Sequence, residues 1–72
     1  MTYYRIAKRK KEEYCILFEG NKLECKTWLL CNGYECFVSE LDFDATILRL
    51  HLFTDIIIIN LGNENEQVEN GM

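Results

Sequence analysis

The chain has 72 residues, of which 49% are hydrophobic; 12 acidic side chains against 8 basic ones give a formal net charge of −4, and there is no proline. That length gives one domain, and the apolar share excludes a wholly disordered chain. The negative balance argues against nucleic-acid binding by the surface as a whole.

The N-terminal stretch, MTYYRIAKRKKEE, is positively charged but no long apolar run follows it. An export signal needs one, so a cytoplasmic location is expected, with the four cysteines reduced. From Tyr3 to Lys10 the residues alternate, with Tyr4 and Ile6 on one face and Tyr3, Arg5 and Ala7 on the other. This is the period of a strand. Lys10-Lys11-Glu12-Glu13 reads as a charged turn. Tyr14 to Glu19 is a second strand, placing Tyr14, Ile16 and Phe18 together and Cys15 and Leu17 opposite. The connection is too short for a crossover, so the two strands pair antiparallel.

Gly20-Asn21 ends that strand. Asn21 followed by Glu24 has the spacing of a capping box, which predicts a helix over Lys22 to Cys31. Leu23, Thr27, Leu30 and Cys31 recur at helical spacing and form its expected inner face, and Trp28 widens that face or starts a second one. Asn32-Gly33 suits the helix stop. Leu23, Cys25, Thr27 and Leu29 also alternate as a strand would; the signals at both ends decide for the helix.

Tyr34 to Leu41 alternates and predicts a strand, and Asp42-Phe43-Asp44 an acidic turn. The densest apolar run follows, from Ala45 to Asn60. Leu48, Leu50 and Leu52 alternate with Arg49 and His51, and Ile56 to Ile59 are consecutive isoleucines. Both read as strands joined at Thr54-Asp55, and they make the expected centre of the fold. Residues 1–62 form the domain, and 63–72 read as a disordered acidic tail.

The expected architecture is α+β, a small antiparallel sheet with one short helix in the order ββαβββ; a small all-β barrel is the alternative. One short helix cannot cover such a sheet. Bare sheet surface should remain, with Tyr3, Tyr4, Tyr14, Trp28 and Tyr34 as interface candidates, because Tyr and Trp carry an apolar body with a polar handle. A homodimer would cover it.

Little points to bond-making chemistry. Cys15, Cys25, Cys31 and Cys36 are separated by nine, five and four residues, so they lack the close pair of a zinc knuckle, and His51 is the one histidine. No cofactor or metal is expected. Glu40, Asp42 and Asp44 form an acidic rim without the loop of a calcium site. Arg5, Lys8, Arg9, Lys10 and Lys11 gather five of the eight basic residues within the first eleven positions. The reading is a cytoplasmic, non-enzymatic protein–protein interaction module, homodimeric, with no membrane partner. In size and charge it resembles the acidic inhibitors of host or cellular proteins that phages and plasmids encode. The alternative is a nucleic-acid-binding module that uses the basic hairpin.

Overall fold

A computed structural model describes residues 1–63. The elements are β1 (Thr2–Lys10), β2 (Glu13–Asn21), α1 (Lys22–Cys31), a 3₁₀ turn (Glu35–Phe37), α2 (Phe43–Phe53) and β3 (Ile56–Asn63). The strands form one open sheet in the order β2-β1-β3, with both neighbouring pairs antiparallel. The fold is therefore α+β, but with three strands and two helices in place of ββαβββ, and the sheet does not close into a barrel.

The hairpin forms where alternation placed it. Lys11 and Glu12 make the loop, and Lys11 takes a left-handed backbone with φ 53°. The capping box of α1 is complete: Glu24 N–H donates to Asn21 Oδ1 at 2.8 Å, and Asn21 N–H donates to Glu24 Oε1 at 2.9 Å. Gly33 follows the helix with φ 88°, a conformation that costs a residue with a Cβ about 1–2 kcal/mol. The inward face of α1 differs from the expected one. Cys25 and Leu29 are buried, while Leu23, Thr27, Leu30 and Cys31 lie outside. Rotation about the helix axis is set at its first turn. A Cβ on Gly20 would stand 2.9 Å from Glu24 Cβ and from the Phe18 ring, so glycine lets the helix start hard against the strand. That closeness brings the Cys25 thiol to the Gly20 carbonyl, at 3.5 Å.

Two expected strands are replaced. Over Tyr34 to Leu41 the backbone bonds locally, with Phe37 N–H donating to the Tyr34 carbonyl and Val38 N–H to that of Glu35. This turn lets Phe37 and Val38, adjacent in sequence, both pack on the core, which a strand would forbid. Over Ala45 to Phe53 the chain is α2. The expected acidic turn is its N-terminus: Asp42 Oδ1 accepts from Asp44 N–H at 3.0 Å and Ala45 N–H at 3.4 Å. Phe43, Thr46 and Leu50 then fall at helical spacing and are buried. Leu48 and Leu52, which alternated with Leu50, face solvent.

β3 is a strand as expected, but an edge strand rather than the centre. Ile56 and Ile58 point to the helices and are buried, Ile57 is half-buried and Ile59 exposed, so the strand is covered on one face only. The expected tail over 63–72 begins one residue early, since Asn63 closes β3; its remainder lies outside the described residues. The core joins Tyr4 and Ile6 of β1 to Cys25, Leu29, Phe43 and Leu50 of the helices and to Ile56 and Ile58 of β3. Both helices thus share one side of the sheet. Thr46, the buried polar residue, accepts a 2.7 Å bond from Ser39 N–H, which ties the connecting loop to α2.

Candidate functional site

Register decides what the helix-free face presents, because residues directly opposite one another share a face. Arg5 stands opposite Glu19 of β2 and Ile59 of β3; Ala7 stands between Ile16 and Ile57; Arg9 faces Tyr14. Tyr3 lies at the far end, beside Asn21 and Gly62. Arg5 Nε pairs with Glu19 Oε2, so this charge is answered within the face. Tyr14 is 61% exposed, Ile16 55% and Ile59 40%. Ala7 is buried without a helix above it, because the isoleucines on either side close over it.

The interface candidates separate into three groups. Tyr14 and the half-buried Tyr3 belong to the bare face. Tyr4 does not: it lies in the core at 8% exposure, edge-on to Phe43 with ring centroids 4.9 Å apart. Alternation had placed it with Ile6, and that company signals a core residue. Trp28 and Tyr34 stand on the helix side in a stacked series, Phe18 to Trp28 at 6.3 Å and Trp28 to Tyr34 at 6.1 Å. Beside them a groove of about 470 Å³ is lined by Phe18, Leu23, Thr27, Trp28 and Cys31.

The acidic rim is exposed, but Asp42 and Asp44 act at the start of α2, where a carboxylate satisfies free N–H groups and the helix dipole. Lys8, Arg9, Lys10 and Lys11 are all exposed at the end of the hairpin, whereas Arg5 sits mid-strand in its ion pair. Sequence reasoning missed Ile16 and Ile59 as surface residues, and also Leu41 in the loop before α2 and the outer leucines Leu48 and Leu52 of α2. The signal for the helix was present: Ala45, Leu48 and Leu52 recur at intervals of three and four.

Among the described residues no three His, Cys, Asp or Glu side chains converge as a metal site, and no helix is long and apolar enough to cross a membrane. Cys15, Cys31 and Cys36 are exposed and Cys25 is buried. Burial, with the neighbouring Glu24 carboxylate second, pushes the Cys25 thiol up from 9.0 to about 11, which leaves it a protonated packing group rather than a nucleophile. His51 is exposed in the last turn of α2. The chain matches no family model, no curated protein and no solved structure.

Proposed function

We propose that the chain is a non-enzymatic protein–protein interaction module acting in the cytoplasm as a homodimer. The bare sheet face carries this reading. Both helices cover one side, and the other presents Tyr14, Ile16, Ile57 and Ile59 beside Arg9 and the Arg5–Glu19 ion pair. An apolar sheet face without a covering layer calls for a second surface. The exposed acids Glu40, Asp42 and Asp44 add a negative rim, in keeping with an inhibitor of a host or cellular protein. Light scattering on the full chain tests the reading. The expected mass is twice 8.6 kDa; a monomer mass at every concentration would overturn the homodimer.

One observation favours a second reading. Lys8, Arg9, Lys10 and Lys11 crowd the loop end of the β1–β2 hairpin, whose tip beyond the β1–β3 ladder is two strands wide, the width that enters a DNA major groove. Binding of duplex DNA that weakens with salt, and that is lost when these four residues become glutamine, would support it. Absence of binding at low salt removes it.

A further inference from the structure

Among the described residues no strand pairs with the outer edge of β2, which leaves backbone hydrogen-bonding groups open there. Arg9 N–H donates to the Asp55 carbonyl at 2.8 Å, continuing the β1–β3 ladder. Alternate residues of a strand direct N–H and C=O to the same side, so Arg5, Ala7 and Arg9 turn toward β3, and Lys8 and Lys10 toward β2. There they meet Cys15 and Glu13. Tyr14 and Ile16 interleave with those pairs, so their own N–H and C=O point off the edge of the sheet. β2 is exposed from Glu13 through Leu17, and its part of the core begins at Phe18.

The β3 edge offers less to a second copy at its start, where Ile56 N–H already donates to Thr54 Oγ1 at 2.9 Å, and the Ile56 and Ile58 side chains are buried under the helix layer.

Building on the interaction-module reading, we propose that β2 pairs antiparallel with β2 of a second copy about a two-fold axis at Cys15, joining both sheets into one. The register follows from the free groups. With Tyr14 opposite Ile16 of the partner subunit, both residues donate and accept across the axis in each copy. A register centred on Tyr14 would need Glu12, which lies in the loop. A register centred on Ile16 would need Phe18, whose backbone faces β1 beyond the bulge at Leu17. The favoured register stacks the Tyr14 ring on Ile16 of the partner subunit, an aromatic–β-branched pair on the bare face. Glu13 then meets Leu17 of the partner subunit, so no like charges are opposed. The two α1 helices stay apart, since each covers β2 only from Phe18 onward, away from the axis. Pairing that stops at the bulge is short, which makes a reversible dimer rather than a permanent one.

The register also sets Cys15 opposite Cys15 of the partner subunit as a non-hydrogen-bonded pair, with Cα atoms about 4.5 Å apart, within disulfide range. Cys15 is exposed and free, so it reports on the interface. In the test, two copper(II) phenanthroline complexes each accept one electron and become copper(I) as two Cys15 thiols lose their protons and form one disulfide. A variant carrying Cys31→Ser and Cys36→Ser should give a covalent dimer, and Cys15→Ser with Cys31 and Cys36 intact should not. Ile16→Lys, at an exposed site, should raise the dimer dissociation constant roughly tenfold while the far-ultraviolet circular dichroism stays unchanged. A dimer by light scattering whose Cys15 cross-links no faster than Cys31 and Cys36 overturns the edge pairing and leaves the interaction module standing. A monomer at every concentration overturns the edge pairing and the homodimer together.

Discussion

Cys25 shows how one side chain serves packing and forgoes reactivity. Its thiol has no exposed surface, and it donates to the Gly20 carbonyl at the point where glycine lets α1 approach β2. Its pKa is pushed up to about 11 from 9.0, first by burial and then by Glu24. The folded chain therefore holds this proton more tightly than the unfolded one. The resulting stabilisation is complete below pH 9.0 and is lost as pH rises through about 11. Urea midpoints measured across that window should fall with pH. Other groups titrate there too, so the comparison that decides is with Cys25→Ala. That variant starts from lower stability, since it leaves a small buried void, but its midpoint should fall less steeply. Equal slopes would mean that Cys25 carries no part of the alkaline loss.

At the scale of elements, α1 and α2 begin alike and differ in how openly the sequence announces them. Asn21 and Glu24 form a reciprocal pair, and glycine residues bracket α1, so its limits are legible. Asp42 caps α2 alone, and the alternation of Leu48, Leu50 and Leu52 hides the helical series of Phe43, Thr46 and Leu50. Apolar residues on both the inner and outer sides of a helix satisfy either period, and only the cap separates the readings. β2 has the converse difficulty. Ile16 and Phe18 stand two apart and look like neighbours on one face. The bulge at Leu17 sends Phe18 to the helices and Ile16 to the bare side, and an inserted residue leaves no mark on a two-residue period. Placement of the candidate residues is legible to the same degree: Tyr14 lies exposed on the sheet, Ile16 parts from Phe18, with which alternation groups it, and Tyr4 follows Ile6 into the core. If the Asp42 cap is what makes this segment helical, Asp42→Ala should cost about 1 kcal/mol in denaturant unfolding and lower the helical signal. Asp42→Asn, which keeps the accepting oxygen, should recover most of that loss. Equal losses in the two variants would point to charge rather than the hydrogen bonds.

The whole molecule measures 40 × 32 × 18 Å, and its short axis is the depth of one sheet and one layer of helices. Arg5 and Ala7 run along the middle of the uncovered side, so the strand that organises the core also organises the bare face. A chain this small has little stability to spare, and covering that face or the edge beside it links folding to association. Thermal unfolding should therefore depend on how much chain is present. Above the dimer dissociation constant, each tenfold rise in concentration adds about 1.4 kcal/mol per dimer. With roughly 2.1 cal/mol/K of unfolding entropy per residue over both copies, Tm should rise by about 5 °C for each such step. Ile16→Lys weakens the pairing about tenfold, so its Tm should begin to climb only at a concentration about tenfold higher. A flat Tm in the unsubstituted chain, alongside a monomer mass, would show that the sheet face folds and persists uncovered by a second copy.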